Sequence, residues 1–229
     1  MNQKDAAKRA AGEHAATFVE SGMCVGLGTG STTAHAIKAI GRRVREDGLK
    51  IRGVPTSFAA ERLARASGIP LVTLDDVDRL DVAFAGADEI DDALNLIKGR
   101  GAAHTREKVV AAQADRFVVL ADPSKRVERL GAKMPVPVEV LPMATAPVMR
   151  ALRRLGAEPE LRMGTGKDGP VVTDQGFWVI DARFEGIDAP NEVDCALQAT
   201  PGVLDHGLFL GMATDVLIGT PDGAVEHLR

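Results

Sequence analysis

The 229-residue sequence has no tyrosine, one tryptophan and two cysteines, and only 3% of it is aromatic. So few aromatic rings leave no stacking platform of the kind that holds single-stranded nucleic acid. Cys24 and Cys195 are too few for a disulfide framework, and neither they nor the five histidines show paired metal-ligand spacing. A reducing cytoplasm fits best. Charge of one sign is also lacking. Lys and Arg number 28 against 32 Asp and Glu, a net −4, so no overall field draws the chain to nucleic acid or an anionic membrane. No apolar run approaches the ~20 residues of a membrane span. The charged start MNQKDAAKRAAGEHAATFVE does not read as a secretory signal. What remains is ordinary globular usage, 45% hydrophobic and 26% charged, enough for one domain or one domain carrying a smaller one. Any anion this chain binds must be held by a local pocket.

The pattern along the chain alternates. Lys4 to Glu20 has helical spacing, MCVGLG reads as a buried strand, and Ser31 to Val44 as a helix. KIRGVP, IPLVTL, DVAFAGA and RFVVLAD read as further strands, with helices predicted over Phe58–Ala66 and Ala103–Ala114. LNLIKG is short and extended. Such alternation implies βαβ units and a mainly parallel, doubly wound sheet. Near Gly131 the character changes. PVPVEVLPM is extended, Ala146–Leu155 helical, a hairpin is expected around Gly176, and Asn191–Ala199 is helical. The expected fold is α/β, with a main domain over 1–130 plus 208–229 and a small inserted α+β domain over 131–207. The tail, with its PDG turn, rejoins the main sheet.

GLGTGSTTAHAI follows a predicted strand and opens a predicted helix. Glycines let backbone approach an anion, and a helix N-terminus offers unpaired N–H groups and a favourable dipole. A phosphate-sized guest suits it; a tight turn with a Ser/Thr cap is the plainer alternative. The dinucleotide fingerprint is not met, because Ser31 stands where its third glycine belongs, and no Gly-Lys-Ser/Thr follows for a nucleotide-triphosphate loop.

The acidic run Asp88–Glu89–Ile90–Asp91–Asp92 follows a strand that ends at the same sheet edge. It reads either as a solvated turn or, less simply, as Mg²⁺ ligands. In KGRGAAHTREK, Lys98 and Arg100 sit in a glycine turn ahead of Glu107, which is flanked by cations. A carboxylate kept ionised in this way can act as a general base, whereas a solvated helix face is the bland alternative. Lys125 in ADPSK follows another strand and could neutralise a phosphate or oxyanion. His104 reads as an incidental polar residue.

Taken together, GLGTGSTTAHAI, GADEID, LNLIKGRGAAHTREK, ADPSK, PVPVEVLPMA, VVTD, PGVLDHGLF and IGTPDG resemble the A-type ribose-5-phosphate isomerases, in that family's order and over nearly the whole chain. The resemblance implies a Rossmann-like domain carrying a small α+β domain, assembled as a homodimer or homotetramer, acting on a sugar phosphate without metal or nucleotide. It implies that Thr29, Gly30, Ser31 and Thr32 hold phosphate and sugar, with Lys8 approaching the phosphate. Ala85, Gly86, Ala87 and Asp88 match the family's Asp-Gly-Ala-Asp segment, Lys98, Gly99, Arg100 and Gly101 its second substrate loop, Glu107 its proton acceptor and Lys125 a substrate-contacting lysine. Asp88 and Lys98 would join Glu107 in catalysis. The chain departs from the pattern at Ala85, where the first aspartate belongs, and at Arg100, often glycine. Ala85 leaves open a non-catalytic sugar-phosphate sensor or a paralogue with altered substrate, and fold analogy alone would also admit an acyl-CoA transferase.

Overall fold

In the computed structural model, which describes residues 3–229, helices and strands alternate through the first part of the chain: α1 (Gln3–Ala16), β1 (Cys24–Leu27), α2 (Ser31–Glu46), β2 (Arg52–Pro55), α3 (Phe58–Ala66) and β3 (Val82–Gly86). Next come β4 (Glu89–Ile90), β5 (Leu96–Ile97), α4 (His104–Ala112), β6 (Phe117–Ala121), β7 (Val136–Val140), α5 (Thr145–Arg154), β8 (Glu158–Leu161) and β9 (Trp178–Arg183). The chain closes with α6 (Pro190–Gln198), β10 (Val203–His206), β11 (Leu208–Phe209), β12 (Asp215–Gly219) and β13 (Val225–Leu228).

Two compact units result. The first takes the described residues to Ala87, Arg106–Lys125 and Met212–Arg229. Its sheet has the order β13-β12-β6-β3-β1-β2, parallel except for the β12–β13 hairpin. Strands β1, β3, β6 and β12 are almost continuously buried, as parallel strands covered on both faces must be. On one face Ala11 and Ala15 of α1 and Ile37 and Ile40 of α2 pack against Val25, Leu27, Phe84, Val118 and Leu120. Strand order reverses between β1 and β3, and in such sheets ligands bind beyond the carboxyl ends of the strands at this reversal.

The second unit is Asp88–Thr105 with Arg126–Gly211. It holds an antiparallel sheet β10-β7-β9-β8 and a small sheet β11-β5-β4. Val136, Val138, Ile180 and Ala182 of its strands pack with Val148 and Leu152 of α5. Residues 88–105, expected in the main domain, belong here, as do 126–130 and 208–211. The reason is hydrogen bonding. The Glu89 carboxylate is fully buried and accepts the backbone N–H groups of Gly131 (2.7 Å), Lys133 (2.6 Å) and Met134 (2.6 Å), while β11 pairs with β5.

Two elements differ from the sequence expectation. IPLVTL makes only one parallel bridge, Leu71 to Gly53, because Pro70 lacks an N–H and the segment turns at once into a 3₁₀ turn. The expected hairpin around Gly176 is reduced to a bridge between Val172 and Trp178, since β9 pairs instead with β7 and β8.

At the amino edge of the main sheet, Asp215 accepts two hydrogen bonds from Arg116 (2.7 Å each) and one from Thr214 Oγ1 (2.7 Å), with His227 Nε2 at 2.6 Å and Arg229 Nε at 3.3 Å. Its side chain is 4% exposed. Chiefly through the Arg116 hydrogen bonds, its carboxyl is held far below the ordinary carboxylate range. A depressed folded-state pKa adds stability that is complete above the unfolded pKa of about 3.9 and is lost as pH falls below it. Asp215→Asn is expected to lose on the order of 3 kcal/mol at neutral pH. The gap in Tm between the two proteins should narrow below about pH 4. A gap unchanged down to strong acid would contradict this account.

Candidate active site

The glycine-rich loop begins where one face of β1 and its continuation has no room for a side chain. A Cβ on Gly26 would lie 2.7 Å from both Ala83 Cβ and Val110 Cγ1, and one on Gly28 would lie 2.1 Å from the Phe84 carbonyl and 2.8 Å from Ala85 Cα. The turn then needs Gly30, whose φ of 115° at the N-cap of α2 is a glycine conformation. Gly30 offers no side-chain cap, so the first N–H groups of α2 face a position that an anion can fill. Lys8 adds a cation there by donating to Ser31 Oγ at 2.9 Å. Thr32 and Thr33 are buried.

Thr29 is held from the neighbouring strand end. Its hydroxyl donates to Ser57 Oγ at 2.6 Å and lies 3.0 Å from Thr56 Oγ1, while Ser57 also accepts from Ala60 N as the cap of α3. Thr56 and Ser57 are site-supporting residues that the sequence reading passes over; a Thr-Ser pair between strand and helix was the available signal.

Ala85 is 2% exposed, near the end of β3, and pairs with Val119 of β6. Helix α4 leads into a strand parallel to its neighbours, so it runs back along the sheet and starts at the carboxyl edge. Glu107, in its first turn and 5% exposed, stands one turn before Val110, which packs on Gly26. Lys125 follows β6 at that same edge, in a turn closed by its N–H to Asp122 O (3.1 Å). Asp122 itself is buried; Oδ1 accepts Ser124 N at 3.1 Å, and Oδ2 has no hydrogen-bond partner among the described residues. The first unit thus gathers the glycine loop with Lys8, Ala85–Ala87, Glu107 and Lys125 at one sheet edge.

The second unit carries the other candidates. Asp88 Oδ2 accepts Arg100 N at 3.0 Å, and the Arg100 guanidinium lies 3.9 Å from Oδ1. Lys98 is 2% exposed, with its ammonium 5.3 Å over the Phe209 ring and its N–H donating to Gly207 O at 2.9 Å. Gly99, φ 109°, leads to the exposed Arg100 and Gly101. Two carboxylates of the acidic run are engaged by the chain's own backbone. Glu89 binds backbone, and Asp91 Oδ1 closes its own turn through Ala93 N and Asn95 N. No group of three or more His, Cys, Asp or Glu able to hold a metal occurs among the described residues.

The family model for ribose 5-phosphate isomerase A (phosphoriboisomerase A) matches residues 52–223. The chain belongs to this family. It is 59% identical over 213 residues to ribose-5-phosphate isomerase A of Thermosynechococcus vestitus, covering 93% of this chain and 90% of that one. To the Haloarcula marismortui protein it is 56% identical over 219 residues, covering 96% and 94%. A solved D-ribose-5-phosphate isomerase in complex with phospho-erythronic acid superimposes with a TM-score of 0.96 at 46% identity over 100% of both chains. That of Methanocaldococcus jannaschii gives 0.93 at 46% identity, covering 97% of each. The mixed α/β fold with its parallel central sheet is therefore the family's fold.

The glycine positions of this family member yield a direct test. Gly28→Ala drives a methyl group into the backbone of β3, so it should lower stability by about 1–3 kcal/mol. For a chain of this size that is a Tm loss of roughly 2–4 °C per kcal/mol. Calorimetry that finds Tm unchanged would show that β3 yields freely to the added atom.

Proposed function

We propose that this protein interconverts D-ribose 5-phosphate and D-ribulose 5-phosphate, with Glu107 as the base that shuttles the proton. The observation that carries this reading is the similarity, complete over both chains, to the isomerase solved with phospho-erythronic acid. That compound is a four-carbon sugar acid phosphate whose planar carboxylate mimics an enediolate. The glycine-capped N-terminus of α2, with Lys8 beside it, supports the phosphate end of the same reading.

In the proposed reaction the sugar ring first opens. Glu107 takes the proton from C2, the C–H electrons form the C1=C2 bond of an enediolate, and charge gathers on O1. The same carboxyl returns its proton to C1, while the O2 hydroxyl proton passes to O1 and leaves the ketone at C2. Lys98 and Asp88 handle charge and protons on those oxygens. Thr29, Gly30, Ser31, Thr32 and Lys8 hold the phosphate, whose binding energy orients the reacting carbons. Ala85–Ala87, Gly99–Gly101 and Lys125 contact the sugar. No step calls for a metal or a nucleotide. Assembly of copies and a cytoplasmic setting belong to the same proposal; Leu141, Met143 and Leu204, exposed on the second unit, are apolar surface that another copy could cover.

Conversion of ribose 5-phosphate, followed by appearance of the ketose, tests the activity itself. Glu107→Gln keeps shape but removes the base, so turnover should fall by about 10²–10⁴ while ribose 5-phosphate still binds. Near-normal turnover would remove Glu107 from the mechanism.

Ala85→Asp restores the carboxylate that the family pattern places there. Charge-assisted hydrogen bonds to sugar hydroxyls are worth roughly 1.5–3 kcal/mol, so kcat/KM should rise by about one to two decades. A parent that is fully active and gains nothing at any pH has another group in that role. Binding without isomerisation by either protein would favour a sugar-phosphate sensor.

A further inference from the structure

We propose that Arg162, locked by Asp181, is the positioning residue that sets the conformation of the Lys98–Gly101 loop; this rests on the reading of that loop as a substrate loop. Arg162 lies just past β8. Its Nη1 donates to two successive loop carbonyls, Gly99 O at 3.0 Å and Arg100 O at 3.1 Å. Its Nε donates to Asp181 Oδ2 at 2.8 Å and its Nη2 to Asp181 Oδ1, so β9 holds the guanidinium by both carboxylate oxygens. The Arg162 side chain is 15% exposed and that of Asp181 25%.

The loop needs such a hold. It passes through positive φ at Gly99 (109°) and again at Ala102 (55°), a conformation that L residues seldom adopt unaided. Two adjacent carbonyls aimed at one point repel each other unless a cation stands there. One flank of the loop packs closely, since a Cβ on Gly99 would lie 2.7 Å from His104 Nδ1 and 3.0 Å from Pro137 Cγ. The other opens on a cavity of about 360 Å³, where Asp88, Arg100, Arg162 and Asp181 stand among mostly apolar groups such as Met134 and Met163. Polar contacts, not packing, therefore fix that flank. Asp88 pins the loop by the N–H of Arg100 and Arg162 pins it by the carbonyls, so the two act on the same peptide segment from opposite ends of its dipoles. Only a planar fork of donors can take a carboxylate on two atoms and two carbonyls on a third; the single ammonium of lysine cannot.

The effect should fall on turnover. Lys98 is carried by this loop, whereas the phosphate-holding groups proposed above lie in the other unit. Arg162→Lys and Asp181→Asn, both able to preserve the fold, should lower kcat on ribose 5-phosphate by roughly 10- to 100-fold, the range for lost hydrogen bonds to a charged group. KM should rise by a smaller factor than kcat falls, because the loop's sugar contacts are few beside the phosphate contacts of the other unit. Hydrogen exchange reads the loop without any assay of activity. The amides of Arg100 and Ala102 should exchange faster in both variants, while those of β7 and β9 keep their protection. In Arg162→Ala, added guanidinium ion at non-denaturing concentration should restore part of the lost kcat. Unchanged exchange at Arg100 and Ala102, or a kcat within twofold of the parent with stability intact, overturns the proposal. A KM rise that accounts for the whole loss overturns it as well. If the parent shows no isomerase activity, the functional reading fails first, and the exchange experiment still decides whether Arg162 holds the loop.

Discussion

The meeting of β1 with β3 at Gly26 and Gly28 constrains everything at the carboxyl edge of the main sheet. Gly26 leaves room for Ala83 and for Val110 of α4, and Gly28 for the carbonyl of Phe84. Both strands are buried on both faces, so neither can shift to make space for a side chain. The glycine-rich loop starts from one of these strands and the Ala85–Ala87 segment ends the other. Their mutual placement is thus a property of close backbone packing rather than of loop flexibility, and the helix that carries Glu107 is registered on the same glycine. A site whose parts must be held within fractions of an ångström gains from having its origin in a close contact between buried strands.

Beyond that contact, glycine-rich segments do not hold their own shape, and polar side chains do it for them. Ser57 and Thr56 hold Thr29; Asp122 and Ser124 shape the turn of Lys125; Asp88 holds the peptide of Arg100. Buried carboxylates take the largest part. Glu89 gathers three N–H groups, and Glu139 accepts the hydroxyls of Thr173 and of Thr105, in the first turn of α4. Burial pushes the Glu139 carboxyl above its ordinary range, and the two hydroxyl donors pull against that shift. Acid residues that look in sequence like metal ligands or solvated turns act here as acceptors for the chain's own backbone and hydroxyls.

This explains what could and could not be read in advance. The strands CVGL, VAFAG and FVVLA and the helices beginning at Ser31 and Phe58 are legible because local periodicity and packing agree. The glycine turn and the carboxyl-edge position of Glu107 follow from the same alternation. Three things depend on partners far along the chain. IPLVTL is strand-like in composition, but an edge with a proline gives it only one bridge. Residues 88–105 read as part of the main domain until Glu89 is seen to bind the backbone of residues 131–134. Arg162 sits in a charged stretch of ordinary composition, and its role exists only because Gly99 and Arg100, some sixty residues earlier, turn their carbonyls toward it. No local pattern encodes such contacts.

Ala85 shows the same tension between fold and function at a single position. A carboxylate at a place 2% exposed, between Gly28 and Val119, would require a partner or a bound ligand to offset its lost hydration. Alanine removes that demand and leaves β3 an uninterrupted apolar strand, which favours the folded state when no ligand is present. The edge is not stripped of acceptors, however. Asp122 keeps one buried carboxylate oxygen without a hydrogen-bond partner among the described residues, and an acceptor left in that condition is destabilising. A chain that sheds one buried carboxylate yet retains another unsatisfied one has not been smoothed for stability throughout. A buried polar atom without a partner, here one residue after β6 in the turn that carries Lys125, calls for an explanation, and the sugar phosphate of the proposed function supplies one.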